Sequence, residues 1–457
     1  MNDNIAAIST APGTGGVAII RISGSNPQEI ADKIFFTSSG KKPSEFEPYK
    51  MYVGEIRAED FCDNGICVFF KAPKSFTGEN VIELHCHGGV AITRGVLNKV
   101  ISLGARPATR GEFTRRAFLN GKLSLSSCEG LIDMINSESV AQIKSGYYLF
   151  REKLKNRILN LQNDLTEVLA EIDANIDYPE EGLIEESGDS IKKKLISSQS
   201  VLRELIKSYS AGRIISDGVK VAIVGKTNTG KSSLLNTLCG ENRAIVTEVE
   251  GTTRDVIEGK TIIGGIKFSL FDTAGIRKTD DKVEKIGIER SMDMINGADI
   301  IIFVADSSKK LSADETDIYN LVKNKNLVVA ANKSDLLNKN VSEIIIESEN
   351  GELKIKPDVV LSCKNEVNVD VLKEILRKKG AGGIDVNGEY ITEKRHFIAL
   401  SEADESLLSA IDAIGIYPLD LVSCDIKTAW EKLGEITGTT ASEEVIDKIF
   451  EKFCVGK

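Results

Sequence analysis

The stretch GKTNTGKSS (225–233) directly follows the apolar run KVAIVG and precedes a helical pattern. Glycines at this spacing let backbone N–H groups wrap phosphates, while a lysine neutralises charge and a hydroxyl ligates magnesium. Lys231 and Ser232 fill those two roles, and Asn228, Thr229, Gly230 and Ser233 complete the cradle. Three later boxes extend the constellation. DTAG (272–275) ends a strand pattern, which puts Asp272 near magnesium and Gly275 beside the terminal phosphate, with Thr273 and Ala274 between them. NKSD (332–335) follows VVAA and suits a guanine ring: Asp335 accepts from the ring N–H and exocyclic amine, and Asn332 and Lys333 frame the ring. SCK (Ser362, Cys363, Lys364) follows another strand pattern and supports the base oxygen. Any one tetrapeptide also occurs in surface turns. Four in order, each at a strand end, imply binding and hydrolysis of a guanine nucleotide.

The equipment for hydrolysis is unusual. Small GTPases place a glutamine after DxxG to position water and use an arginine to stabilise developing charge. Ile276 stands where the glutamine would be, so another route is needed. Asn228 inside the phosphate loop and GTTRD (251–255) suggest one. An asparagine oxygen with backbone carbonyls of an ordered loop can hold a monovalent cation where an arginine would act. The alternative for Asn228 is a plain turn former. Thr252 and Thr253 belong to the switch region, and Thr253 is expected to join Ser232 on magnesium.

Other stretches are weaker. ELHCHGG (83–89) gathers His85, Cys86 and His87, but only the two histidines share a strand face, a poor basis for zinc. GTGGV (13–17) is expected to be a turn rather than a dinucleotide loop, without a preceding strand or following helix. FCVGK (453–457) has a cysteine four places from its end, yet Gly456 and Lys457 do not make a prenylation box.

The elements that must position these residues fall into blocks. Residues 1–118 read as mixed strand and turn, with VAIIRISG (17–24), MYVGEI (51–56), ICVFFK (66–71) and VIELHCHGG (81–89) as strands. From Leu131 to Ile176 apolar residues recur every three or four positions, including Ile132, Val140, Ile143, Tyr147, Leu154, Ile158 and Leu165. That is the period of amphipathic helices. IDYPEEG (176–182) interrupts it, and helical spacing resumes to about Tyr209. From Val219 apolar strands alternate with helices, which predicts a doubly wound sheet with ligands at the carboxyl ends of its strands. KGAGGIDVNGEY (379–390) is a linker, and the rest is helical. The expectation is an α+β multidomain protein. An amino-terminal domain (1–118) is followed by a helical domain in two parts (119–216 and 380–457), into which an α/β P-loop domain (217–379) is inserted.

At 457 residues the chain exceeds one core and fits roughly three domains. No run of about 18 apolar residues crosses a membrane, and MNDNIAAISTAPG is unlike a signal peptide. The eight scattered cysteines suit reduced thiols, so a cytoplasmic location is expected. A net charge of −10 argues against gripping nucleic acid by bulk electrostatics alone.

The ordered set TNTGKSS, GTTRD, DTAG and NKSD, with FCVGK, resembles the MnmE (TrmE) family of tRNA-modification GTPases, and APGTGGVAIIRISG and GEFTRRAFLNGKL extend the likeness over essentially the whole chain. The resemblance implies a Ras-like G domain and an amino-terminal domain like those of folate-binding one-carbon enzymes. It implies potassium on Asn228, with the switch loop Thr247, Glu248, Val249, Glu250, Gly251 and Thr252 completing the nucleotide site; Thr247, Val249 and Thr252 join Asn228 on the ion. Within DDKVEKIGIERS (280–291), Glu284 corresponds to a glutamate that orients the attacking water indirectly; read bare, it is one carboxylate on a charged helix. Arg21, Glu83, Lys122 and Lys457 are implied to bind 5,10-methylenetetrahydrofolate or a 5-formyl analogue, the carboxylate suiting the pterin and the cations the glutamate tail. The family's carboxy-terminal helix returns to the folate domain, so Cys454 is implied near the one-carbon donor, adding to the target uridine or moving a proton; without the resemblance it is an incidental thiol.

The implied activity installs an aminomethyl or carboxymethylaminomethyl group on carbon 5 of a tRNA wobble uridine. The implied assembly is a homodimer that joins a flavoprotein carrying FAD (MnmG, or GidA) in a heterotetramer or larger, with tRNA held mainly by that partner. The chain departs from the family pattern at Thr227, Thr229 and Glu250. A regulatory GTPase of the Era or Der type would share every nucleotide box but needs an RNA-binding module, and none is legible after residue 380.

Overall fold

The computed structural model describes residues 3–177, 184–240, 259–272, 292–337, 344–348 and 351–457. The chain forms two compact units. The first comprises residues 1–136, 146–203 and 398–457; the second comprises 137–145 and 204–397.

In the first unit a sheet is built from β1 (Ile5–Ile8), β2 (Gly15–Gly24), β3 (Phe35–Phe36), β4 (Met51–Arg57), β5 (Cys62–Phe70), β6 (Asn80–Gly88) and β7 (Arg106–Pro107). Its order is β3-β4-β5-β6-β2-β1-β7. Pairing is antiparallel except where β7 joins β1. Alternation sets the faces. Ile20, Ile22, Ile82, Leu84 and Cys86 bury one face with Val96 and Val100 of the helix Val90–Ser102, while Arg21 and Glu83 share the other. GTGGV differs from expectation: β1 precedes it, and Gly15–Val17 opens β2. The hairpin continues through these glycines because β2 keeps pairing with β6 down to Gly88, across a bulge between Gly15 and Ala18.

The long apolar period resolves into helices Leu125–Asn136, Val140–Phe150 and Lys153–Asp177. In the last, Leu154, Ile158, Leu161, Leu165, Val168 and Ile172 are buried, as the spacing predicts. That helix packs against Leu419–Thr437, and Gln162 Nε2 donates to the Trp430 carbonyl at 2.9 Å. The phase is lost in the middle helix. Val140, Ile143 and Tyr147 are exposed there, whereas Ala141, Tyr148 and Leu149 are buried. A break at 137–139 resets the helical phase, so a period read across it assigns the wrong face.

The second unit carries β8 (Val219–Val224), β9 (Gly259–Ile263), β10 (Ile266–Asp272), β11 (Ile300–Asp306), β12 (Leu327–Asn332), the hairpin β13 (Ile344–Ser348) and β14 (Gly351–Ile355), and β15 (Val359–Val360). The order β15-β12-β11-β8-β10-β9 is parallel except for the β9–β10 pair. Its strands are near-continuous apolar runs because both faces are covered. Phe268, Ile302 and Leu372 belong to one core and Phe303, Val329 and Ile318 to the other. Residues 137–145 join this unit: Ala141 enters its core, Glu138 pairs with Lys260 and Lys267, and Gln142 Nε2 donates to the Ser216 carbonyl at 2.6 Å.

Candidate functional site

The phosphate loop leaves β8 at Gly225 and enters the helix Lys231–Cys239 at Gly230. Both glycines are required by geometry. Gly225 has φ +149°, and a Cβ there would lie 2.4 Å from the Val304 carbonyl oxygen. Gly230 has φ +97°, and its Cβ would lie 2.2 Å from Asn332 Nδ2. Asn228 takes φ +66°, a left-handed conformation that asparagine tolerates better than most residues. The Thr229 hydroxyl donates to the Lys226 carbonyl at 2.9 Å, and Lys231 Nζ reaches the same oxygen at 3.1 Å. Lys231 is thus folded back over the loop at the positive end of the helix.

Ser232 Oγ donates to Asp272 Oδ2 at 2.9 Å, whereas Asp272 Oδ1 is buried without a hydrogen-bond partner among the described residues. A hydroxyl beside an unsatisfied carboxylate oxygen fits the oxygen-only preference of magnesium.

The end expected to read the base is built from three loops. Asn332, buried at 2% exposure, donates from Nδ2 to the Thr229 carbonyl at 3.0 Å and accepts at Oδ1 from Cys363 N–H at 3.2 Å. Lys333 has φ +66°, and its Nζ pairs with Asp306 Oδ2 at 2.8 Å. Burial tends to raise the Asp306 pKa, but hydrogen bonds from Lys333 and Ser308 win and hold it below the usual carboxylate range. The Ser362 hydroxyl donates to Asp335 Oδ1 at 2.6 Å and accepts from Asn365 N–H at 3.3 Å, so the carboxylate expected to read the base is braced by the SCK loop. Burial pushes the Cys363 thiol up to about 11, which leaves it unreactive. Asp306 had no place among the sequence boxes; an acid at the end of an apolar strand was the available signal.

Thr247, Glu248, Val249, Glu250, Gly251, Thr252, Thr253, Thr273, Ala274, Gly275 and Glu284 lie outside the described residues.

In the first unit Arg21 and Glu83 are direct cross-strand partners, with Arg21 Nε 2.9 Å from Glu83 Oε1. His85 Nε2 lies 3.3 Å from Glu83 Oε2, and Phe76 and Phe113 place their ring centres 5.6 and 5.7 Å from the Arg21 guanidinium carbon. Burial raises the Glu83 pKa, but the His85 hydrogen bond and the Arg21 charge outweigh it, so the carboxylate is held low. These are paired, half-buried groups rather than loose surface charges. Lys122 is exposed after the helix Glu112–Leu119, and Lys457 is partly exposed at the end of the tail. Among the described residues no hydrogen bond or ion pair joins either lysine to the Arg21–Glu83 pair. His87 Nδ1 lies 2.6 Å from Asp63, so the two histidines of ELHCHGG turn to different carboxylates.

The tail is docked within the first unit. Ser442 caps the helix Glu443–Glu451, and Phe450 and Phe453 pack with Leu125, Cys128 and Ile132. Val455 bridges to Arg110, and Gly111 N–H donates to the Cys454 carbonyl at 3.4 Å. Gly456 has φ +100°, and a Cβ there would lie 2.1 Å from the Ile8 carbonyl oxygen. Cys454 is exposed and lines a cavity at this edge of the sheet.

A glycine-rich loop between a central parallel strand and a helix, with base-reading residues at neighbouring strand ends, defines the class: a multidomain α+β protein with a P-loop GTPase unit. Two family models match, the MnmE helical domain over residues 125–454 and the GTP-binding protein TrmE N-terminus over residues 4–122. A tRNA modification GTPase MnmE from Natranaerobius thermophilus is 41% identical over 100% of this chain and 99% of its own length. One from Clostridioides difficile is 40% identical over the full length of both chains. Among solved structures, Era with MgGDPNP and a 16S ribosomal RNA fragment covers 41% of this chain and 66% of its own at 25% identity and a TM-score of 0.27. The chain belongs to the family of tRNA modification GTPases called MnmE.

Proposed function

We propose that the chain is a potassium-activated GTP hydrolase that works as a homodimer with an FAD-bearing flavoprotein, MnmG (GidA). Together they install an aminomethyl or carboxymethylaminomethyl group on carbon 5 of the wobble uridine of certain tRNAs, with methylenetetrahydrofolate as carbon source. The observation that carries this reading is the full-length relation to proteins named for tRNA modification, supported by the hydrogen bonds through which Asn332 joins Thr229 of the phosphate loop to Cys363.

The residues divide the work. Backbone amides of residues 228–232 and Lys231 hold the phosphates; Asp335, braced by Ser362, reads the base. Ser232 and Asp272 are the described groups that would hold magnesium, which supplies charge neutralisation at the phosphates. Asn228 is the loop residue assigned to potassium, with Thr247, Val249 and Thr252, and Glu284 is assigned to water positioning. Arg21 and Glu83 supply paired charges for the folate, and Cys454 supplies a thiol to the uridine chemistry. The test is mass spectrometry of wobble nucleosides from cells lacking the protein. Loss of the carbon-5 substituent, restored by the wild-type chain, is expected; an unchanged nucleoside profile overturns the reading.

A further inference from the structure

The loop 75–79, between β5 and β6, is held from inside by a closed ring of hydrogen bonds. Glu79 N–H donates to Thr77 Oγ1 at 3.2 Å, the Ser23 hydroxyl donates to Glu79 Oε2 at 2.7 Å, and Ser23 Oγ lies 2.7 Å from Thr77 Oγ1. The one Ser23 proton goes to the carboxylate, so the Thr77 hydroxyl donates to Ser23. Ser23 and Thr77 are fully buried. Arg116, also buried, grips the same carboxylate, with Nη1 3.1 Å from each Glu79 oxygen. Asn120 Nδ2 donates to the Thr77 carbonyl at 2.7 Å, and the Ser75 hydroxyl donates to the Glu79 carbonyl at 2.5 Å. Gly78, at φ +80°, lets the loop adjoin Lys122: a Cβ there would lie 3.3 Å from Lys122 Cγ.

This fixed loop leaves Phe76 37% exposed, with its ring centre 5.6 Å from the Arg21 guanidinium carbon. Single exposed apolar side chains are ordinary on a surface. Phe36 on β3 is such a case: it is equally exposed and lies beside Arg57, but Arg57 and its partner Glu55 are 54% and 40% exposed. Arg21 and Glu83 are only 20% and 13% exposed. Arg21 spends Nε on Glu83, and among the described residues its terminal nitrogens make no hydrogen bond. We infer that Phe76 is the stacking platform for the pterin ring of the folate, with the terminal N–H groups of Arg21 meeting the ring's oxygen, an inference that rests on the folate assignment above. A flat conjugated ring gains from offset stacking on an aromatic side chain as well as from the area it buries. A platform already fixed by buried hydrogen bonds needs little ordering when the ligand arrives. Phe76 thus selects for a conjugated ring, a task that the charges of Arg21 and Glu83 cannot perform.

The test is calorimetric binding of 5-formyltetrahydrofolate to the full chain and three variants. Phe76→Leu keeps apolar bulk but removes the ring, and should weaken binding at least about tenfold. Phe76→Trp restores a ring and should bind within about threefold of the unsubstituted chain. The chain's one tryptophan is Trp430, on the helix Leu419–Thr437, so Phe76→Trp adds an emission that reports on the loop. That added emission should change saturably with the ligand. Phe36→Leu, which removes a ring of equal exposure beside another arginine, should bind normally. Unaltered affinity in Phe76→Leu, as great a loss in Phe76→Trp or Phe36→Leu, or added emission that the ligand leaves unmoved overturns the assignment. Should the leucine variant fail to fold, the affinity and emission of Phe76→Trp decide alone. If the unsubstituted chain does not bind 5-formyltetrahydrofolate, the folate reading itself fails, and the platform with it.

Discussion

The side-chain amide of Asn332, at the end of β12, donates to the carbonyl of Thr229 in the phosphate loop at 3.0 Å. Its oxygen accepts from Cys363 N–H, so one buried residue fixes the two base-reading loops to the phosphate cradle. Asn332→Ala should leave a carbonyl and an N–H without partners, costing about 1–3 kcal/mol for each group left buried. GTP affinity and the unfolding temperature should fall together, and calorimetry of the variant checks both. Unchanged GTP affinity would show that the bridge is dispensable.

Potassium should accelerate hydrolysis where sodium does so poorly. Asn228→Ala should blunt the rise while GTP still binds, since backbone amides carry the phosphate contacts. Turnover measured in matched potassium and sodium salts decides between cation ligand and turn former, and equal rates return Asn228 to the latter.

Glu284→Ala should bind GTP nearly normally yet lose at least about tenfold in turnover, on the order of 1.4 kcal/mol in the barrier. If two G domains must meet, wild-type turnover should grow faster than linearly with protein concentration. Wild-type rates in the variant would leave Glu284 a solvated charge.

Cys454→Ser should keep GTP turnover, because the thiol belongs to the first unit and the nucleotide residues to the second. Modified uridine should nevertheless disappear from the tRNA of a complemented deletion strain, since a hydroxyl is far less acidic than a thiol. Deleting Lys457 should instead weaken folate binding. Full modification by the serine variant would make the cysteine structural.

Glu112 should make the first unit acid-sensitive. Burial raises its pKa, but Arg106, Thr109 N–H and Arg116 outweigh this and bring it down to about 2. A depressed carboxylate stabilises the fold above its unfolded pKa of about 4.3, and that contribution, on the order of 2 kcal/mol, is lost as pH falls toward 2. Glu112→Gln should therefore lower stability at pH 7 and flatten its dependence between pH 5 and about 2. A denaturant titration across that range that leaves the wild-type slope intact would sink the idea.

The GTPase unit was legible because its boxes are contiguous and stand at strand ends, where local sequence carries the turn, as at Gly225 and Asn332. The Asn332 bridge was not, because Thr229 is 103 positions away and only the parallel sheet brings them together. The Arg21–Glu83 pair likewise depends on the β2–β6 register. The helices around Val140 were legible as helices but not in phase, since apolar spacing does not say which core receives the face. Glu138 shows the same limit: its partners, Lys260 and Lys267, are set by tertiary packing.

The bridge between Arg110 and Val455 also has a temporal meaning. Residues near 110 leave the ribosome long before the tail exists, and domains fold largely as they emerge. The edge beside β1 must therefore wait through synthesis of the entire GTPase unit before Phe453, Cys454 and Gly456 can close it. A chain cut short before residue 453 would carry the whole GTPase unit, yet the Cys454 thiol would never be delivered to the sheet. Closure of the edge beside β1 by residues 453–456 is thus a late step in the making of the first unit.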